Sequence, residues 1–534
     1  MANPLSSAGP SAPAEYPDGH PRRWVILGVL IVSLLVVVLD NTILNVAMAV
    51  IASPDRGLNA TQSELAWAIN SYTLVFASLL FTAGVIGDRY GRRRILTAGM
   101  VLFGLSSLAS AYSQSPDQLI AARALMGVGG ALILPATLSI ISNVFHPRER
   151  ARAIGIWVSA VGLGMAIGPI TGGALLERFW WGSVFLINVP IVLAGLVAIL
   201  ALVPESRDPA PNRIDIGGVV LSVLGLVSLV YGIIEGGETG RWGAPWVWGS
   251  IVTGVVILAG FVAYERRIAF PALDVRLFTN PRFSTAVGVV GLVFFAAMGA
   301  FFFSTFYLQM VRGYSPLAAG ALLLPFAGAQ LLFAPRSAAM VARYGAKKVA
   351  VVGMLLTVIA LTGMATLDAD TPIWLVGALF FIQGAGMANV VPPATEAVIS
   401  TLPRQKAGVG SAVTNTVRQV GGALGVAVLG SLLSSVYRAR IESSVADLPA
   451  GPRELASESL AGTHAVAAEL GQTGDSLIAA GNTAFIEAMH WAAGSSALVA
   501  VLGALVVLRW LPGHRSAPAV PVAAPHSPEQ VSVS

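Results

Sequence analysis

The chain has 534 residues, of which 55% are hydrophobic and only 11% are charged. Soluble proteins carry about 25% charged residues, so this composition excludes an ordinary soluble protein and predicts many membrane-spanning helices. The net charge of +5 does not indicate a nucleic-acid partner, because the basic residues lie in short segments between apolar runs. The chain has no cysteine, which excludes disulfides, thiol nucleophiles and cysteine-ligated metals.

Long apolar runs divide the chain into fourteen predicted spans. Each has about the 20 apolar residues that a helix needs to cross ~30 Å of hydrocarbon. Helices are required because lipid offers the backbone no hydrogen-bond partner, so the predicted fold class is an all-α integral membrane protein. The spans lie near residues 24–48, 64–86, 95–113, 117–143, 151–175, 180–203, 214–234, 245–264, 284–311, 316–341, 347–367, 372–399, 406–436 and 487–510.

The spans group as six, two and six. The two terminal segments are rich in Pro, Ala and Ser and are expected to be disordered tails. Loop 437–486 is the longest, and we expect it to be an exposed helical appendage without a core of its own. The predicted units are the tail 1–23, the first six-helix bundle 24–203, a linker 204–282 with two extra spans, the second six-helix bundle 283–511 and the tail 512–534.

The positions of the basic residues predict the orientation in the membrane. An even number of spans puts both termini on one side, and 22 of the 32 Lys and Arg residues then share that side, against 7 on the other. The positive-inside rule therefore places both termini in the cytoplasm and loop 437–486 outside.

One short polar motif occurs twice. Gly87–Arg94 reads GDRYGRRR between spans 2 and 3, and Arg343–Lys348 reads RYGAKK between spans 10 and 11. The two copies lie far apart in the sequence, one in each half of the chain, which is typical of a duplicated membrane half. The first copy places one acid among cations at a helix end and a glycine at a tight turn, whereas the second copy has no acid. We therefore predict a strong conformational latch in the first copy and a weaker one in the second; the alternative is a basic loop that only sets topology.

Asp40 in span 1, Arg123 in span 4 and Arg418 in span 13 are charged residues that lie deep inside apolar spans. Charges inside a bilayer are costly, so each is a functional-site candidate. At 1.5 Å per residue, Asp40 lies ~24 Å from the inner end of its span and Arg123 ~9 Å from the outer end, so the two should lie at similar depth. A carboxyl balanced between burial and a cation can bind and release a proton. A purely structural ion pair is the alternative.

Four motifs in chain order carry a family resemblance. Leu39–Ala47 (LDNTILNVA) resembles the first-span motif of the fourteen-span drug:proton antiporters of the major facilitator superfamily, and Gly87–Arg94 resembles the superfamily's loop 2–3 motif. Arg123–Ala131 (RALMGVGGA) resembles the span 4 motif, with Met126 where Gln is usual. Gly164–Gly173 (GMAIGPITGG) resembles the span 5 motif associated with exporters.

The resemblance implies the superfamily fold, alternating access and proton-coupled efflux across a bacterial cytoplasmic membrane. It implies that Asp40 takes part in proton coupling together with Arg123. Because Met126 stands where the family usually has Gln, that arginine loses a hydrogen-bonding neighbour. The latch residues that it implies are Gly87, Asp88, Arg89, Gly91, Arg92 and Arg93. The residues implied to bend span 5 are Gly164, Gly168, Pro169, Gly172 and Gly173.

A substrate surface is harder to predict. Span 9 has an aromatic cluster that could line a cavity for flat apolar or cationic compounds, although such stripes also face lipid or pack between helices. The candidate cavity residues are Asn41, Asn45, Phe295, Phe302, Phe306, Arg418 and Gln419. A role in coupling is left open for three acids near span ends, Glu64, Glu396 and Glu487.

These observations predict an antiporter that exports amphipathic or cationic toxic compounds, with the proton as coupling ion and no cofactor or metal. Its partners would be small-molecule substrates and the lipid bilayer, with no nucleic acid, and it is expected to act as a monomer. A proton-coupled importer of a small metabolite is the alternative within the superfamily. A membrane enzyme or sensor is disfavoured, because no phosphate-binding loop, metal cluster or nucleophile constellation is evident.

Overall fold

The structure is a computed structural model that describes residues 19–511 except 53–56, 59, 61, 208–214, 240, 269–274, 403–406 and 472–473. Most of both predicted tails lies outside the described residues. Within the described part, thirteen helices are long and apolar enough to cross a membrane. A further helix of 32 residues, Pro147–Arg178, is also long enough, but some of its side chains are not described. The all-α membrane fold is confirmed, and the count of fourteen spans holds approximately.

The first bundle contains seven helices, two of which form span 6. Local signals start two of them: the Ser115 side chain caps one helix by accepting from the Gln118 N–H, and prolines occupy the first turns of that helix and of the next. The helices are α1 (Arg23–Ala52), α2 (Gln62–Tyr90), α3 (Arg92–Ala111), α4 (Pro116–Val144), α5 (Pro147–Arg178), α6 (Ser183–Leu186) and α7 (Asn188–Leu202).

Two extra helices follow, α8 (Ile216–Thr239) and α9 (Pro245–Glu265), and they pack on each other. A 3-10 helix, Val275–Thr279, precedes the second bundle. The bundle contains α10 (Pro281–Phe306), α11 (Pro316–Ala321), α12 (Leu324–Tyr344), α13 (Ala346–Met364), α14 (Ile373–Ser400), α15 (Ala407–Ile441), α16 (Ala450–Glu458), α17 (Leu460–Leu470) and α18 (Gly474–Trp510). A π-helical turn, Tyr307–Val311, ends α10.

The predicted boundaries differ from the structure at three places. Span 6 is broken at Ile187 into α6 and α7, and span 10 is broken at Leu322–Leu323 into α11 and α12. Loop 437–486 is shorter than predicted, because α15 continues to Ile441 and α18 begins at Gly474. The appendage is helical as expected, but Leu460 and Val466 are buried in the same apolar cluster as the bundle.

The two bundles meet along two pairs of helices. α2 packs on α15, and α5 packs on α12. We call the end of the molecule where α1 begins and α18 ends the termini face, and the other end the opposite face. Both copies of the repeated motif lie at the termini face, between α2 and α3 and between α12 and α13.

The repeat is visible in the backbone as well. Gly91 has φ +117° and Gly345 has φ +87°, and each lies immediately before a helix. Side chains rarely adopt such positive φ angles, so each copy needs its glycine for the same tight turn. The duplication predicted from the sequence therefore extends to loop geometry.

Candidate functional site

A buried ion pair lies inside the first bundle. An Arg123 Nη1–H donates to Oδ2 of Asp40, and both side chains are within 1% of complete burial. α1 supplies the acid and α4 the base, as their predicted depths suggested. The structure thus brings these two sequence-predicted residues together.

A third polar residue, Asn188, completes this pair and was not predicted. It lies at the first turn of α7 and is completely buried. Its amide donates to Oδ1 of Asp40 at 3.2 Å and to Oγ of Ser107 at 3.0 Å. An asparagine within the apolar span 180–203 is the signal that could have identified it, since polar side chains inside a membrane are seldom incidental.

The rest of the Arg123 surroundings fixes the guanidinium. Its Nε–H donates to the Ala68 carbonyl at 3.2 Å, and its Cζ lies 4.5 Å from the centre of the Tyr72 ring. The Met126 sulfur lies 3.8 Å from Nη1, where the family's usual Gln would offer a stronger acceptor. Nη2 is buried and has no hydrogen-bond partner among the described residues. The Arg123 charge therefore depends mainly on Asp40.

The glycine face of α5 packs against α1 beside this pair. A Cβ at Gly164 would meet Val38 at 2.8 Å, one at Gly168 would collide with Thr42 Oγ1, and one at Gly172 would meet Ile43 at 3.1 Å. Gly173 points away, with no atom within 4 Å of an added Cβ. Close helix contact is what small residues at this spacing provide. The side chain of Pro169 is outside the described residues, so the predicted bend stays a prediction.

At the termini face, Asp88 joins the two bundles. Its carboxylate accepts from the backbone N–H groups of Gly408 at 3.1 Å and Val409 at 3.2 Å, at the start of α15. It also pairs with buried Arg92 at 2.8 Å within its own loop. An anion at a helix N-terminus is favourable because the helix dipole and the free N–H groups both point at it. This contact spans the bundles and fits the predicted latch.

A segment after α7 holds the latch loop from the other side and was not predicted. Oε1 of Glu205 accepts from the Arg93 N–H at 3.1 Å, and the Ser206 carbonyl accepts from the Arg92 N–H at 2.9 Å. Arg93 also donates to the Val203 carbonyl at 3.3 Å. We call 203–206 the strap. Arg89, by contrast, lies with its guanidinium 5.7 Å from the Tyr90 ring.

Close packing shuts the termini face in this structure. An added Cβ at Gly84 of α2 would lie 2.5 Å from the Gly408 carbonyl of α15. An added Cβ at Gly155 of α5 would collide with the backbone of Ala334 in α12. Glu396 of α14 lies 3.7 Å from Arg150 of α5, which adds an ion pair between the bundles. The second copy of the motif contributes no acid here: the Arg343 guanidinium lies 5.2 Å from the Tyr344 ring.

The aromatic candidates of α10 divide between two faces. Phe302 packs on Phe306, and Phe306 in turn on Phe485 of α18, so both lie between helices. Phe301 instead stacks on Phe380 of α14. Phe295 is half-buried, and its backbone faces Gly425 of α15.

Arg418 lies at the junction of the bundles. Its Cζ is 5.7 Å from the ring of Trp157 on α5 and 5.4 Å from the ring of Phe294 on α10. The side chain is partly exposed although it is twelve residues into α15. Phe294 and Phe301 therefore lie on one face of α10, and a role of Phe295, Phe302 and Phe306 in a substrate cavity stays a prediction.

Other candidates are placed as follows. Gln419 and Asn41 are half-buried, and the Asn41 amide donates to the Val37 carbonyl at 2.9 Å. The side chain of Asn45 lies outside the described residues. Glu487 pairs with Arg440 at 2.8 Å where both side chains are largely exposed, so it belongs to the surface at the opposite face. Glu64 lies in the first turn of α2.

Comparison with known proteins fits this geometry. The family model described as Major Facilitator Superfamily matches residues 30–426. The chain is 36% identical to the tetracenomycin C resistance and export protein of Streptomyces glaucescens, over 96% of this chain and 97% of that protein. It is 35% identical to the multidrug efflux pump LfrA of Mycolicibacterium smegmatis, over 91% and 96% of the two chains.

A solved structure shows the same fold. The human organic anion transporter MFSD10 (TETRAN) aligns with a TM-score of 0.59, covering 91% of this chain and 100% of that one at 14% identity. Identity this low establishes shared architecture alone. Together with the match to the family model, it shows that the chain belongs to the Major Facilitator Superfamily, a family of membrane transporters.

Proposed function

We propose that this protein is a proton-coupled efflux antiporter that works by alternating access and exports amphipathic toxic compounds. The observation that carries the proposal is the fully buried Asp40–Arg123 pair, braced by Asn188 inside the first bundle. An ion pair in such a place is costly, and a purely structural role would be served as well by apolar packing. Apolar packing cannot replace a group that must gain and lose a proton.

The geometry suggests how one proton alters the bundle. Protonation removes the negative charge of Asp40 beside Arg123, whose Nη2 is buried and already has no hydrogen-bond partner within the described part of the chain. The attraction between α1 and α4 is then lost, and α1 can move with α5, which packs on it through Gly168. Proton binding therefore acts on a helix pair that reaches the bundle junction.

The latch supplies the second half of the cycle. Asp88 can cap α15 only while the bundles are together at the termini face, so its two hydrogen bonds favour that state alone. We place the termini face in the cytoplasm, in line with the distribution of basic residues. The closed latch then corresponds to a state open or opening to the outside, in which substrate leaves and a proton enters.

The membrane supplies the driving force. Each positive charge that moves inward through 100 mV releases ~2.3 kcal/mol. We propose a bacterial cytoplasmic membrane as the location and a monomer as the working unit, with the proton as coupling ion and no cofactor, metal or nucleic-acid partner. A transporter that acts by conformational change needs no catalytic residue, so no enzymatic activity is proposed.

The substrate class follows from the relatives and from the interior surface. The relatives are named for resistance to and export of tetracenomycin C and for multidrug efflux. Phe294 and Phe301, both half-buried, give the junction flat apolar faces that suit ring-bearing compounds. We propose amphipathic, ring-bearing toxic compounds, with cationic members of that class as the sequence predicts.

The test is transport by purified protein in liposomes with an imposed proton gradient. Asp40→Asn keeps the size and polarity of the side chain but cannot carry the charge, so coupled efflux should be abolished while the protein stays monodisperse. Glu487→Gln is the matched control, because that acid lies at the surface. Undiminished proton-driven transport by Asp40→Asn would sink the proposal, and uptake down the same gradient would indicate an importer.

A further inference from the structure

Arg418 lies at the junction of the bundles and has no counter-ion among the residues that the structure describes. At 1.5 Å per residue it lies ~17 Å from the start of α15, which is near the middle of a ~30 Å core. No described residue accepts a hydrogen bond from its guanidinium or pairs with it. Its donors are therefore available to something that the protein does not itself provide.

The two aromatic contacts hold the guanidinium in place without using its donors. The indole N–H of Trp157 donates to Oγ1 of Thr137 at 3.2 Å, so this ring is fixed between α4 and α5. Phe294 lies on the other side, on α10. Arginine stacked on rings keeps its N–H groups in the plane of the guanidinium, pointing away from the ring faces. The arrangement leaves the flat, charged N–H edge of the Arg418 guanidinium at the bundle junction.

Three acids within the two bundles are already paired. Asp40 pairs with Arg123, Asp88 with Arg92, and Glu396 with Arg150. None of the three is left to balance Arg418, so Arg418 adds a positive charge that no described residue compensates. When Asp40 binds a proton, the net positive charge within the bundles rises further, because Arg123 then also lacks its carboxylate partner.

From this charge pattern we infer, resting on the proposed function, that Arg418 favours acidic ring compounds over the cationic members of the proposed substrate class. The carboxylate, phenolate or sulfonate of such a compound accepts hydrogen bonds from the guanidinium, and its rings lie against the half-buried Phe294. A guanidinium fork matches a planar acid in two hydrogen bonds, which neutral compounds form less well. A cation of the same shape meets repulsion instead.

The inference has a consequence for energetics. Export of a singly charged anion in exchange for one proton moves two positive charges inward in total, whereas export of a singly charged cation in the same exchange moves none. The membrane potential therefore drives export of an anion and leaves export of a cation to the pH gradient alone. This difference can be measured separately from affinity.

The experiment uses two probes that differ only in charge: an anthraquinone carrying a sulfonate and the same ring system carrying a trimethylammonium group. The full-length protein in liposomes is assayed for both, with the potential set by a potassium gradient and valinomycin. The wild type should export the sulfonate faster than the ammonium compound. A membrane potential that is negative on the side of the termini face should accelerate export of the sulfonate and leave export of the ammonium compound unchanged.

Arg418→Gln should lower sulfonate export ~10- to 100-fold, the loss expected for hydrogen bonds to a charged group, while ammonium export is unchanged or raised. Arg418→Lys keeps the charge without the fork and should retain part of the sulfonate export. Arg336→Gln is the control, since Arg336 is exposed and its guanidinium donates only to the Leu332 carbonyl of its own helix.

Equal loss of both probes in Arg418→Gln, with Arg418→Lys no better, would show a structural role and overturn the inference. Preference of the wild type for the ammonium probe would overturn it as well. Failure of the proposed function looks different: neither probe would respond to a proton gradient in the wild type, or Asp40→Asn would transport both normally.

Discussion

Asp88→Asn tests whether the latch sets the balance between the two conformations. The pairing of Asp88 with Arg92 lies within one loop and persists in both conformations, so it does not contribute to the free-energy difference between them. The bonds to Gly408 and Val409 cross between bundles and exist only in the closed state. A charge at a partly buried helix N-terminus contributes up to ~2 kcal/mol, and asparagine retains the shape without the charge. Neutralisation should therefore shift the equilibrium roughly 30-fold toward the open termini face.

The shift can be read by distance measurements between spin labels. The chain has no cysteine of its own, so Arg148→Cys on α5 and Lys348→Cys on α13 give a single pair of exposed sites in different bundles. In the Asp88→Asn background the long-distance population should grow. Arg343→Gln is the matched control from the second copy of the motif, which makes no contact through an acid, and it should leave the distribution almost unchanged.

Two results would refute this reasoning. An unchanged distance distribution in Asp88→Asn would show that the carboxylate does not hold the bundles together. An equal shift in Arg343→Gln would show that net charge at the termini face matters and that the cap on α15 does not. Transport rates should follow the same order, with far greater loss at Asp88 than at Arg343.

Three further outcomes are expected, each measured as proton-driven efflux in liposomes with monodispersity as the folding check. Asn188→Ala removes a hydrogen bond to the Asp40 carboxylate and should lower transport ~10-fold or more, whereas a rate equal to wild type would exclude it from the coupling site. Gly168→Ala forces α5 away from α1 and should impair transport strongly, while Gly173→Ala, where an added Cβ has open space, should not; equal effects would contradict the packing argument. Glu205→Gln weakens the strap and should slow transport roughly 2- to 5-fold, and no change would mean that the strap does not position the latch.

The helical fold and the pairing of Asp40 with Arg123 could be predicted from the sequence because each depends on a local quantity. Span length and hydropathy gave the helices, and residue rise gave the common depth of Asp40 and Arg123. The structure confirms that those two side chains meet. Their role in proton coupling stays a prediction.

The aromatic face of α10 was not accessible in the same way. Every residue near Phe294 is apolar, so nothing in the pattern marks which side of the helix meets α15 and which meets the interior. The predicted cluster on span 9 holds both pairs: Phe294 contacts Arg418 and Phe301 stacks on Phe380, whereas Phe295 and Phe302 lie ~100° further around the helix. Glu205 was missed for another reason, since a single acid after a span end has no periodic or compositional signature.

The extra helices cover one of the two lines along which the bundles meet. α8 packs against both α2 of the first bundle and α15 of the second. At the other junction, between α5 and α12, Leu331 and Leu332 are exposed toward the surroundings. For a compound dissolved in the bilayer, α8 would thus block the α2–α15 side, whereas the α5–α12 side would lie directly against the acyl chains. The molecule is asymmetric toward lipid, and a hydrophobic substrate that arrives by lateral diffusion has a defined side of approach.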